Sequence, residues 1–230
     1  MEILTLDVTA RIDQLIQERS LLKHPFYQAW NKGELSIDSL REYAGQYYFF
    51  ERAYPTYLSG LHFRCDNAEV RKLLLQNLWD EEYGDDNHVE LWMRFCDALG
   101  LDRGDIETGS QKAATVSLTE SYKQLTSTGS VIGGATALYV FESQVPEIAD
   151  AKISGLKKHY GIHDEKQISF FEVHKSLDEE HAEAEREMIG VLVNGKSDEI
   201  AALNAADIAT LKLWQFLDGL WIVISSRLLH

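Results

Sequence analysis

Cysteine, proline, basic residues and long apolar runs are all scarce in this chain, and each scarcity excludes something. Two cysteines in 230 residues, Cys65 and Cys96, make no disulfide framework. With no signal-peptide pattern in the opening MEILTLDVTA, the expected location is the reducing cytoplasm. Three prolines leave room for long helices. No stretch approaches the ~18 consecutive apolar residues that span a membrane. The 22 basic residues are outnumbered by 37 acidic ones, for a net charge of −15. Phosphate binding needs clustered Lys and Arg, so neither nucleic acid nor an anionic membrane is an expected partner. Internal repeats and low-complexity linkers are also missing. What is present is 45% apolar sequence, enough for a sizeable core, and one domain over residues 1–230 is expected.

Apolar residues recur at helical spacing through most of the chain, and no segment reads convincingly as a strand. A first helix is expected from about Leu6 to Ser20, ended by His24-Pro25 and followed by the aromatic group Phe26, Tyr27 and Trp30. Ser36 is a good N-cap for a long helix on which Tyr43, Tyr47, Tyr54 and Tyr57 return on related faces, with a kink predicted at Pro55. The pattern resumes from Asn67 to Ala98, gives way to a loop over Asp102–Ser110, and continues in a helix over Gln111–Leu125. A buried helix follows Gly133 and Gly134, which permit close approach to a neighbour. Beyond a kink at Pro146, the stripe Val145, Ile148, Lys152, Leu156 places one amine on an apolar face. It either snorkels to solvent or is a buried amine with a lowered pKa. A last amphipathic helix covers about Asp198–Arg227. The fold class is all-α, a bundle of seven or so helices.

Residues able to do chemistry gather in three segments. In FFEVHKSLDEEHA, residues Phe170–Ala182, the spacings of His174, Asp178 and His181 put all three within roughly 60° of one helical face. Two neutral imidazoles and a carboxylate suit iron, manganese or zinc. Ser176 followed by Glu179 reads as a capping box, which starts the helix near Leu177 and leaves His174 on the preceding loop. The second segment, DEEYGDDNH, crowds carboxylates around Gly84. Such runs are usually solvated surface. Here Glu81 and His88 return to one helical face, yet two turns of straight helix hold them roughly 10 Å apart. Either Gly84 bends or unwinds the helix, or Asp85 is the partner of His88. In the third segment Glu142 interrupts an apolar run, where a buried carboxylate has to be paired, protonated or metal-bound. Together these residues are the inventory of a non-haem dinuclear metal site.

The E-x6-H of Glu81 and His88, the acid at Glu142 and the H-x3-D-x2-H of His174, Asp178 and His181 resemble the ligand signature of haem-oxygenase-like dimetal oxidases. The likeness extends over nearly the whole chain and is nearest to the branch holding the chlamydial protein associating with death domains and its bacterial relatives. The wider superfamily includes pyrroloquinoline quinone synthases and thiaminase II enzymes. The resemblance implies a seven- or eight-helix bundle and six metal ligands, with Glu81 rather than Asp85 among them. It further implies two metal ions, iron with iron or iron with manganese, with O2 as co-substrate and an external reductant. It also implies a p-aminobenzoate-forming step in folate biosynthesis, in which a tyrosine of the protein supplies the ring and each molecule turns over once. Tyr27 matches that tyrosine, Tyr43 a second aromatic near it, and Lys152 the proposed amine donor.

Other classes compete with this reading. A dimetal oxidase of similar type could act on an external small molecule. A cofactorless oxidase like the quinone synthases would have no use for the acids at Glu81, Glu142 and Asp178. A thiaminase-like hydrolase needs a nucleophilic cysteine, and neither Cys65 nor Cys96 lies near the other site residues in sequence. An interaction module is a further class, but no feature specifies a death-domain partner. A homodimer is left open.

Overall fold

Ser36 accepts a hydrogen bond from the Ser39 amide and launches a 28-residue helix, as its place before an apolar-periodic run predicts. The computed structural model describes residues 7–228, without the side chains of residues 176 and 223–228. Leu6, expected on the first helix, therefore lies outside the described residues, as do the side chains of Ser176, Ile224 and Arg227. The elements are α1 (Val8–Glu18), a 3-10 turn (Leu21–Lys23), α2 (Pro25–Lys32), α3 (Ile37–Arg64), α4 (Ala68–Glu82), α5 (His88–Ala98) and α6 (Arg103–Thr108). They continue with α7 (Ala113–Ser127), α8 (Val131–Glu142), α9 (Val145–His159), α10 (Ser169–Leu192) and α11 (Lys196–Leu228). Among the described residues there is no strand, so the all-α class holds. None of the helices is long and apolar enough to cross a membrane.

Local chemistry explains why the helices outnumber the expected ones. His24 caps α2 by accepting from the Phe26 amide, with Pro25 at the first helical position, where its missing N–H is not needed. Asp102 caps α6 within a segment expected to be loop. The expected helix over Asn67–Ala98 is cut at Gly84, whose φ of 89° lies in the left-handed region that glycine tolerates. Pro146 does more than kink its segment. Its ring would clash with the carbonyl of the residue four before it, Glu142, so α8 ends there and α9 begins afresh with Pro146 in its first turn. By contrast, α3 is continuous through Pro55.

Packing places α8 at the centre, where it contacts α7, α10 and α11 and is buried at every residue from Ile132 to Glu142. A helix apolar all round belongs in such a position. Gly134 makes the approach possible, since a Cβ there would sit 2.7 Å from Leu61 Cδ1. On one side α3 packs against α4, α5 and α7, and on the other α9 packs against α10 and α2. Fully buried side chains such as Phe50, Tyr57, Leu138 and Tyr122 fill the interior, each worth about 1.5–3 kcal/mol.

Candidate metal centre and an enclosed tyrosine–lysine pocket

Two helix breaks bring the carboxylates and imidazoles together. Glu81 sits in the last turn of α4, and the turn at Gly84 reverses the chain before Asn87 caps α5 by accepting from the Glu90 amide. His88, the first residue of α5, then meets Glu81, with Oε2 2.8 Å from Nδ1. Asp85, the alternative partner, is exposed. The end of α8 presents Glu142, whose carboxylate accepts from the Tyr54 hydroxyl at 2.5 Å and from Asn77 Nδ2 at 3.0 and 3.1 Å.

The opening of α10 differs from its sequence reading. The helix begins at Ser169, so His174 lies inside it, one turn before Asp178, and residue 176 is interior rather than a cap. The reason is upstream: Asp164 accepts from the amides of Lys166 and Gln167 and its carbonyl accepts from Ile168, a turn that starts the helix early. The outcome suits ligation better than a loop would. His174 Nδ1 donates to the Phe170 carbonyl at 2.7 Å, which leaves Nε2 bare as an acceptor. His174, Asp178 and His181 are all buried.

All six residues singled out for metal therefore converge in the interior, in two groups. One ring nitrogen each of His88 and His174 lie with a Glu51 carboxylate oxygen, all within 4.8 Å of one another; Glu81, Glu142 and His181 form the second group by the same measure. Asp178 joins the second group, 3.8 Å from His181 Nδ1. Glu81 Oε2, His88 Nδ1, Asp178 Oδ2 and His181 Nδ1 are buried and lack a hydrogen bond. The Glu81 and His88 atoms are near enough to bond but are not aligned for it. Two donors bound to one cation at about 2.1 Å sit about 3 Å apart, so the contact fits atoms that aim at a shared point. Hydrogen-bond-free carboxylate and imidazole atoms in a closed interior are costly on their own. The residues fit a metal pair.

Electrostatics give the same answer. Burial, then Glu142, Glu81 and Glu51, push the Asp178 carboxyl well above its usual range. Burial also raises Glu142, and it raises Glu51 to about 8. His174 is held well below an ordinary imidazole by burial and then by His88. For His88 burial pulls the value down, but Glu81 and the other carboxylates lift it to about 9. Such an assembly of acids resists ionising until a cation is placed among them.

The sequence reading missed four residues of this centre. Glu51 on α3 and Glu185 on α10 are buried carboxylates, and burial, then Glu142 and Asp178, push Glu185 well above its usual range. Asp80 lies 3.3 Å from His181 Nε2, and Asn77 holds Glu142. A signal existed for two of them: Glu185 follows His181 by four residues, and Glu51 lies four after Tyr47 and three before Tyr54. Both were hidden, one in a run of acids and one in a run of aromatics.

Beside the metal centre lies the group Tyr27, Tyr43 and Lys152. Lys152 Nζ donates to the Tyr43 hydroxyl at 2.6 Å, and the Tyr43 and Tyr27 hydroxyls are 3.3 Å apart. The amine does not snorkel; it is 4% exposed and lies 4.9–5.4 Å from the ring centres of Tyr27, Tyr43, Tyr47 and Phe171. Burial lowers its pKa to about 7 against a pull upward from Glu51. The same burial raises the Tyr27 phenol, despite its bond with Tyr43. These groups line a cavity of about 30 Å3 together with Tyr47, Phe171 and His174 among others. His174 thus borders both the cavity and the metal centre.

The profile of the family described as iron-containing redox enzymes matches residues 41–214. The chain belongs to that family. It is an oxidoreductase with a haem-oxygenase-like fold, and its match to the family takes in all six converging residues. A 4-aminobenzoate synthase of Chlamydia muridarum is 39% identical over 209 residues, covering 91% of this chain and 88% of that protein. A 4-aminobenzoate synthase of Nitrosomonas europaea is 39% identical over 219 residues, covering 91% and 89%. Among solved structures, a domain with a haem-oxygenase-like fold from Shewanella denitrificans superposes with a TM-score of 0.81 at 17% identity, covering 94% of this chain and 92% of that one.

Proposed function

We propose that this member of the family makes 4-aminobenzoate from the side chain of its own Tyr27, once per molecule, with Lys152 as amine donor. In this reading Glu81, His88, Glu142, His174, Asp178 and His181 hold two metal ions. Iron, alone or with manganese, supplies the activation of O2 when bound, with electrons from an external reductant. The observation that carries the reading is the hydrogen-bonded chain of Lys152, Tyr43 and Tyr27 on the wall of a cavity that His174 also lines.

The ring and Cβ of a tyrosine carry the carbon skeleton of 4-aminobenzoate. The conversion breaks Cα–Cβ and oxidises Cβ to a carboxylate, and it replaces the phenol oxygen, which leaves as water, with the Lys152 nitrogen, whose bond to Cε breaks as Cε is oxidised to an aldehyde; O2 is the oxidant. Each residue has a task in that change. Tyr43 bridges the Lys152 amine and the Tyr27 phenol, so the nitrogen donor and the ring stay in one hydrogen-bonded chain. The apolar surroundings of Lys152 keep a large share of it neutral near pH 7, and a neutral amine is a nucleophile where an ammonium is not. Phe170, Phe171, Leu213 and Phe216 close the cavity and exclude water from the reacting groups.

The competing classes lack support from the site. Orphaned buried carboxylates argue against a cofactorless oxidase. For a thiaminase-like hydrolase the thiol has to be reactive, yet burial pushes Cys96 up to about 12. Both cysteines are free and buried.

The test uses protein made with 15N-lysine, loaded with iron and manganese under anaerobic conditions, then given reductant and O2. Expected are 15N-labelled 4-aminobenzoate at no more than one per chain and a Tyr27 peptide that has lost its ring. Many turnovers with an unchanged Tyr27 peptide would overturn the proposal.

A further inference from the structure

We propose that Glu51 is a seventh metal ligand, which completes with His88 and His174 the coordination of one of the two metals, on the side of the centre that faces Lys152. The inference rests on the dimetal reading above and adds to it a residue outside the six-residue signature.

Geometry is the first support. One oxygen of Glu51 stands within 4.8 Å of a ring nitrogen of both His88 and His174, on a helix, α3, that contributes none of the other six. His88 Nδ1, beside Glu81, is buried without a hydrogen bond. Glu51 is 3% exposed, and among the described residues no basic side chain comes within ion-pair distance of it.

Donor chemistry is the second. Without Glu51, the His88 and His174 half offers two imidazoles and a share of Glu81, while the other half holds Glu142, Asp178 and His181. Ferrous and manganous ions take oxygen donors readily, so the poorer half is the one that Glu51 enriches. Glu51 is also near enough to Lys152 to pull that amine's pKa upward, which puts this metal position beside the tyrosine–lysine pocket.

The experiment is anaerobic metal loading of the full chain with Mn(II) or Fe(II), followed by desalting and elemental analysis. Compared are the wild type, Glu51→Gln, His88→Ala and Glu51→Gln/His88→Ala. Glutamine keeps the volume but is a poor ligand. Expected are about two metals in the wild type and about one in each single variant, with no further loss in the double. Melting of the metal-free proteins checks that each variant folds. Should Glu51→Gln fail to fold, crystals of the wild type soaked in Mn(II) decide: anomalous density within about 2.2 Å of the Glu51 carboxylate is expected. Two metals held by Glu51→Gln with unchanged affinity, or Mn(II) density distant from Glu51, would overturn this proposal alone. A wild type that holds fewer than two metals would overturn it together with the dimetal reading.

Discussion

Replacement of Lys152 with methionine should stabilise the protein while ending its chemistry. Methionine keeps the length of the side chain and removes the charge. In the folded protein burial sets the Lys152 pKa near 7 against an ordinary 10.5, so the folded state holds this proton less firmly than the unfolded chain does. The sign follows: the destabilisation is fully present below pH 7, fades as pH rises, and is gone above 10.5. A gap of about 3.5 pH units at about 1.4 kcal/mol each comes to roughly 5 kcal/mol. Against it stand the bond to Tyr43 and the contacts with the surrounding rings, about 1–2.5 kcal/mol together. Net stabilisation of the variant at pH 7 is therefore about 2–4 kcal/mol, or roughly 5–15 °C in Tm for a chain of this size. The assay is thermal melting of both metal-free proteins from about pH 6.5 to about pH 9.5. The difference should shrink steadily as pH rises. A variant that melts at or below the wild type near pH 7, or a difference that ignores pH, would refute the claim that Lys152 is held as a strained neutral amine.

Other outcomes follow from the same geometry. Tyr27→Phe should retain both metals and fold with a loss of about 1 kcal/mol or less, since it gives up one long hydrogen bond, while 4-aminobenzoate disappears from the reaction. In the wild type the single-turnover rate should rise about tenfold from pH 6 to pH 8 as Lys152 loses its proton, a trend read by quenched-flow product analysis. A flat profile would exclude the amine as the titrating group. Asp178→Ala/His181→Ala should lose metal from the group around Glu142, and elemental analysis showing two retained ions would remove these residues from the centre. Gly84→Ala places a Cβ at φ 89°, at a cost of about 1–2 kcal/mol, and should weaken metal retention because the turn sets Glu81 against His88.

Much of the helical framework was legible from local patterns. Ser36 as a cap, the continuous apolar run of α8 and the apolar periods of α3 and α11 depend on neighbours within a turn or two, which local pattern reports well. Where two local signals disagreed, reading was weaker. Ser176 and Glu179 had the form of a capping box, but the turn at Asp164 starts α10 before it. Gly84 announced a disturbance without saying whether the helix would bend or stop. The centre was half legible for the same reason. His174, Asp178 and His181 share one helical face, so spacing alone groups them. Glu51 and Glu185 had the right spacing too, but in runs of aromatics and acids a single carboxylate does not stand out.

By itself the sequence determined an acidic, all-α chain with three segments of acid and imidazole and an amine on an apolar stripe. Those properties follow from composition and helical period. Only the tertiary structure decided that Glu81 rather than Asp85 faces His88, that Lys152 ends 2.6 Å from Tyr43, 109 residues away, and that Asn77 reaches Glu142 across 65. Tertiary packing also brought Tyr27, Tyr43, Lys152 and His174 to the wall of one cavity. These are distances through space between helices, set by how α3, α8, α9 and α10 pack, and no periodicity along one chain encodes them.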